Sequence, residues 1–174
     1  MASWPANCAR LARTMTMTLW RIAAQTRRYA ADDLSGLGAA AQPGRWNDLR
    51  EAVVYAAPSL ALAVLETAAH IDDGGLPLNR FVLRIDMPDA LWAAREELDV
   101  SRLAPSWSAI PAGGASVKAG SNWLTAKTSL ILLVPSVIVP EERVALINPA
   151  HPAASRLKTK VVRTFDYRRL FRAA

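Results

Sequence analysis

The stretch GRWNDLREAVVYAAPSLALAVLE, Gly44 to Glu66, changes its periodicity midway, and that change decides the fold class. A Pro-Gly turn leads into Arg45, Trp46 and Asn47. The β-branched and aromatic run Val53 to Ala56 then reads as a short strand, and Pro58 opens a helix predicted to run to about His70, where DDGG stops it. At helical spacing Ser59, Ala63, Glu66, Thr67 and His70 share one strip, while Leu60, Ala61, Leu62, Val64, Leu65 and Ala68 cover most of the rest. The strip is either the wet face of a half-buried helix or the floor of a cleft. It holds no Lys, no Arg and no second carboxylate, whereas a wet face ordinarily carries several charges.

Upstream, LWRIAA from Leu19 reads as the first strand, and residues 1–17 as a poorly structured leader with Met15 and Met17 as alternative starts. DDLSGLGAAAQPGRWN has the composition of a long loop, and long loops in compact domains are often functional. Downstream, NRFVLRIDMP alternates apolar and polar residues over Phe81 to Ile85 and is a strand ended by Pro88. DALWAAREELDV is predicted as a short helix. SWSAIPAGGASVKAGSNWLTAKTS is mostly loop, with a short helix beginning near Ser121. LILLVPSVIV gives one or two strands broken at Pro135, VALINPAHP another strand and a turn, and TKVVRTFDYRRLF a last strand and terminal segment. Strands and helices intermix without regular βαβ spacing, which predicts a single α+β domain with mainly antiparallel sheets.

The chain has 174 residues, 52% of them hydrophobic, enough for one core. One cysteine, Cys8, rules out an intrachain disulfide and, with two histidines, leaves no metal site to expect. A reducing cytoplasm fits best. The longest apolar run is far shorter than the roughly 20 residues of a spanning helix, so no membrane passage is expected. The net charge of +6 is uneven: +5 over residues 1–30, −7 over 31–100, +2 over 101–155 and +6 over 156–174. A basic terminus of this kind fits either a solvated strand or a surface for nucleic acid or an acidic partner. No phosphate loop, Rossmann fingerprint or G-x-S-x-G elbow is present, which removes the main support for those chemistries.

Arg45 and Asn47 follow the turn, where a guanidinium grips phosphate or carboxylate bidentately. Arg28 with Tyr29 forms a second Arg-aromatic pair. Tyr55 is a third contact able to stack on a flat heterocycle. Each singly also fits core or surface, and Ser136 also fits a buried hydroxyl bonding the backbone.

LWRI at Leu19, RRY at Arg27 to Tyr29, GRWN, VVYAAPSLALAVLE, GSNWL at Gly120 to Leu124, VPSVIVPEE at Val134 to Glu142 and LINPAHP at Leu146 to Pro152 resemble, in order, the motifs of the RES-domain toxins encoded beside Xre-type antitoxins. The resemblance implies residues 18–174 as a RES domain with a fold like the ADP-ribosyltransferase toxins, split antiparallel sheets around an NAD cleft. It implies NAD+ as substrate without a metal, consumed by hydrolysis or phosphorolysis of the nicotinamide–ribose bond, or alternatively in ADP-ribosylation of a protein. On that reading Glu66 is the catalytic carboxylate, Arg45 and Ser136 act with it, and Arg28, Tyr29, Arg45, Asn47 and Tyr55 bind NAD+. The family's early arginine is left among Arg21, Arg27 and Arg28, with Arg28 preferred because Tyr29 follows it, and Ser121 competes with Ser136. An Xre-type antitoxin covering the cleft is implied, in a hetero-oligomer or beside a homo-oligomer, with DNA reached only through the antitoxin. One departure stands out: the family commonly has a glycine shortly after the GRWN asparagine, and this chain has Asp48, Leu49 and Arg50 there.

Overall fold

The computed structural model describes residues 16–71 and 75–171. Strands β1 (Thr16–Ala24), β3 (Arg80–Pro88) and β7 (Lys158–Thr164) form an antiparallel sheet in the order β1-β3-β7. The second sheet runs β2-β6-β5-β4, with β2 (Val54–Ala56), β6 (Arg143–Ile147) and β5 (Ile131–Pro135) antiparallel and the short β4 (Glu96–Glu97) parallel to β5. The helices are α1 (Leu37–Ala40), α2 (Leu60–Ala68), α3 (Asp89–Ala93) and α4 (Gly114–Ala126). This is the α+β domain with antiparallel-rich sheets that the sequence predicts. None of the described helices is long and apolar enough to cross a membrane.

Period-two burial builds the layer between the sheets: Leu19, Leu83, Ile85 and Met87 from one meet Val54, Ala56, Ile131, Leu133, Ala145 and Ile147 from the other. β5 is buried along its whole length, as its unbroken apolar run requires. Its other face and that of β6 take Trp123 and Leu124 of α4 together with Leu62 and Ala63 of α2. Leu60, Val64 and Ala68 of the same α2 pack on Ile22, Val82, Phe165 and Tyr167. Helix α2 is thus wedged between the sheets' outer faces, and a backbone bridge joins the sheets there, with Trp20 and Ala57 exchanging N–H···O bonds of 2.8 Å.

Two differences from the sequence reading have physical causes. β1 starts at Thr16, because Thr16 and Met17 pair with Pro88 and Met87 in register. Residues 1–15 of the predicted leader lie outside the described residues. Helix α4 has 13 residues where mostly loop was expected; its inward positions Ser116, Gly120, Trp123 and Leu124 keep helical spacing, but two of them are small, which erases the apolar stripe. At Pro135 the strand ends, the one-strand alternative of the sequence reading, and the chain turns, with Ser136 N donating to Glu142 O.

Candidate functional site

The GRWN turn is held from inside. Gly44 N donates to Asn47 O at 3.0 Å. Asn47 is fully buried; its Nδ2 donates to Ala39 O and Asp48 O, each at 3.1 Å, and its Oδ1 accepts from Tyr55 Oη at 2.8 Å. Tyr55 Oη in turn accepts from Trp46 N at 3.1 Å. Burial pushes the Tyr55 phenol up to about 12, against a smaller opposing pull from the Trp46 amide, so the hydroxyl keeps its proton and remains Asn47's donor. A Cβ on Gly44 would sit 2.5 Å from Asn47 Oδ1 and 2.8 Å from Tyr55 Oη, hence the glycine. Asn47 and the Tyr55 hydroxyl are therefore occupied with the turn, and the ring of Tyr55 packs against the core cluster that holds Trp46, Leu62 and Leu146.

Arg45 projects from that turn. Its Nη1 donates to Trp107 O at 2.9 Å and Ala109 O at 3.0 Å, while Trp46 stacks on Trp107 with centroids 6.1 Å apart. The guanidinium presents five donors in a rigid fork, so two carbonyls on one nitrogen leave others for an anion. Past the turn Arg50 adopts φ +69°, the left-handed conformation that glycine would take freely. Arg50→Gly is accordingly expected to raise stability by about 0.5–1 kcal/mol, read as a higher urea midpoint at unchanged m-value.

Glu66 occupies the inward sector of α2. It lies one turn beyond buried Leu62 and three residues beyond buried Ala63, while the outward line Ala61, Leu65 and Ala69 is apolar and exposed. Along the polar strip Ala63 is buried, Glu66 and Thr67 are half-buried and His70 is exposed. Ser136, 1% exposed, donates from Oγ to Glu66 Oε1 at 2.5 Å. The same Oγ accepts from Ile138 N at 3.1 Å and Val139 N at 3.0 Å. With both lone pairs engaged the serine can only donate, so the contact fixes Glu66 as an acceptor with its carboxylate aimed by the post-β5 turn. Next along the helix, Thr67 Oγ1 accepts from Tyr167 Oη at 2.6 Å, pinning α2 from behind. Ser121 lies elsewhere, donating to Glu51 Oε2 at 2.7 Å, an oxygen that also accepts from Asp48 N. It buttresses the GRWN turn.

Beside β1 opens a cavity of about 300 Å³, lined among others by Arg21, Tyr29, Asp33, Gly36, Gly38 and Gln42. Arg21 Nη1 is buried and, among the described residues, has no hydrogen-bond partner. Burial lowers the pKa of this guanidinium, only partly opposed by Asp33, whose carboxylate is already taken by Ser35 N and Oγ. An unpaired buried guanidinium is costly and suits a site awaiting an anion. Of the early pair, Tyr29 lines this cavity, and Arg28 is exposed. A signal for Arg21 existed in LWRIAA: it shares the strand phase of Leu19 and Ala23, both buried, and a charge in the buried phase needs a reason. Arg21→Met is expected to leave the melting temperature unchanged or higher while abolishing anion binding at the cavity, measured by thermal melts with and without ligand.

The structure thus joins Glu66 with Ser136, Asn47 with Tyr55 beside Arg45, and Tyr29 with Arg21. The cavity lining itself does not include Arg45, Tyr55, Glu66 or Ser136. The Trp20–Ala57 bridge ties the strand carrying Arg21 to the link between Tyr55 and α2.

The two antiparallel-rich sheets and their helices form a mixed α+β domain. The RES domain family model matches residues 18–169, and the chain belongs to that family. It is 51% identical over 153 residues to the "Prs ADP-ribosylating toxin" of Sphingobium sp. strain YBL2, covering 88% of this chain and 95% of that one. It is 40% identical over 147 residues to the "Toxin Res" of Pseudomonas putida, covering 83% and 93%, and 37% identical over 135 residues to the "Toxin Res" of Yersinia enterocolitica, covering 78% and 86%. Among solved structures it resembles one described as the M. tuberculosis MbcT-MbcA toxin-antitoxin complex, with a TM-score of 0.51 at 19% identity and 86% of each chain covered, a likeness of fold.

Proposed function

We propose that this chain is a cytoplasmic toxin that consumes NAD+ by breaking the nicotinamide–ribose bond, with Glu66 as the catalytic carboxylate. The observation that carries the reading is the Ser136–Glu66 contact of 2.5 Å on the inward face of α2. In the bond-breaking step the electron pair leaves with nicotinamide, which becomes neutral, and positive charge develops on the ribose as an oxocarbenium-like state. A fixed carboxylate beside that carbon stabilises the charge without reorganising. Arg45 and Arg21 are the candidates for the pyrophosphate, with Arg21 favoured over Arg28 by its unpaired buried nitrogen. The rings of Tyr29 and Tyr55 are the candidates for stacking on nicotinamide or adenine.

The acceptor of the ADP-ribosyl group is water or phosphate in this reading. A second reading, transfer to a protein side chain, is favoured by the name of the Sphingobium relative. Incubation with NAD+ labelled in the ADP-ribose part, with and without phosphate and with and without Prs protein, separates them. Label on small molecules in the absence of protein supports the first, and label confined to Prs supports the second. Label left on intact NAD+ under every condition contradicts both.

The toxin–antitoxin neighbour and the toxin names of the relatives support a protein inhibitor. An Xre-type antitoxin that inserts a segment over Glu66 and Arg45 is the partner we propose. Co-expression with the adjacent gene is expected to yield a complex without NAD+ cleavage, and recovery of free active chain would argue against it.

A further inference from the structure

We infer that β7 is a docking edge for an acidic, extended segment of a partner protein, which adds to the β1-β3-β7 sheet as a fourth strand. The surface is separate from the residues assigned to NAD+ and does not depend on that reading. β7 is the outer strand of its sheet and pairs with β3 alone among the described residues. Six of its seven residues are exposed, including Val161 at 38% and Val162 at 46%. The ladder to β3 shifts register at Val162, which has no partner between the Val82–Arg163 and Leu83–Val161 pairs, so the regular edge open to another strand is the four residues 158–161, with their backbone donors and acceptors and the exposed Val161.

Charge selects which strand. Lys158 and Lys160 stand on one side of β7 at the two-residue spacing of a strand, and Arg156, Arg163 and Arg169 continue the patch around it, all exposed. Among the described residues no carboxylate forms an ion pair with Lys158, Lys160, Arg156 or Arg163: Asp86, opposite Lys158, is held through one oxygen by Arg84 at 2.8 Å and by Thr18 at 2.7 Å, and Asp166 is held by Arg168. Glutamates at alternate positions of an incoming strand would face Lys158 and Lys160, and opposite charges across a strand pair are favourable, so an acidic strand is favoured over a second copy of the basic β7. Nucleic acid would use the charge but not the backbone edge or the valines, and so is disfavoured.

The test uses the full chain and two probes, a seven-residue peptide of alternating Glu and Val and a single-stranded oligothymidylate of equal charge. Fluorescence anisotropy gives binding, and amide hydrogen exchange maps it. Expected results are binding of the peptide, added protection of β7 amides, and affinity weakened at least about tenfold by K158E together with K160E. Both lysines are exposed, so the double variant should melt like the parent, and K160A serves in its place if it does not. No binding of the peptide, binding that the variants leave unchanged, protection elsewhere than β7, or binding of the oligothymidylate in preference to the peptide would each overturn the proposal.

Discussion

Glu66→Gln is expected to slow nicotinamide release from NAD+ by about 10²–10³-fold, the scale of losing one preorganised electrostatic partner of a transition state, with KM for NAD+ near that of the parent chain. The substitution keeps shape and an acceptor oxygen for the Ser136 hydroxyl, so folding should be preserved and the loss should fall on turnover. An interaction made only in the transition state lowers kcat and kcat/KM together, whereas removal of ordinary binding raises KM. Arg45→Ala is expected to show the second pattern, because its guanidinium is assigned to the substrate's charge. A Glu66→Gln protein that turns over at the parent's rate would remove Glu66 from the reaction and leave the inward carboxylate without an assigned task.

The largest structural effect is expected at Gly120. A Cβ there would lie 1.9 Å from Trp46 O and 2.7 Å from Trp46 C, both backbone atoms of the GRWN turn. Those atoms cannot rotate away, so α4 or the turn must shift. The gain of about 1 kcal/mol in helix propensity from glycine to alanine is outweighed by an overpacking cost of about 1–3 kcal/mol or more. Gly120→Ala should therefore melt lower, and it should also lose activity beyond the stability deficit, since the displaced turn carries Arg45 and receives the Tyr55 hydrogen bond. Thermal unfolding with activity assayed well below the transition checks both, and an unaltered melting curve would contradict the close approach. Gly120 sits in the GSNWL segment, so the small residue that hid α4 from its apolar pattern is the one that lets α4 support the site.

Much of the site was legible in Gly44 to Glu66 because local rules agree there: turn glycine, β-branched strand, Pro58 before the helix and Ser59 at its N-cap, where its Oγ accepts from Leu62 N. The absence of other charges along its strip favours a cleft floor over a wet face for Glu66 and leaves both readings open. The choice of partner for Glu66 was not legible, since Ser136 lies 70 residues away in the chain and meets it only through the turn after β5. Arg21 was harder still. Tyr29 beside Arg28 is the louder local pattern, and Arg21 gains its meaning from the strand phase it shares with Leu19 and Ala23. Asn47 reads as a polar contact in sequence, yet its amide is spent on Ala39, Asp48 and Tyr55. The left-handed backbone of Arg50, at φ +69°, is a feature that composition cannot show.

The most direct measurement is nicotinamide release from NAD+ by the purified chain, with no antitoxin present, compared between the parent and Glu66→Gln. Release by the parent, in water, with phosphate or with Prs protein as acceptor, and its collapse in the variant are the predicted result. Equal release by the two proteins, or none by the parent under all three conditions, would contradict the assignment of Glu66 and Ser136 as the centre of an NAD+-consuming toxin.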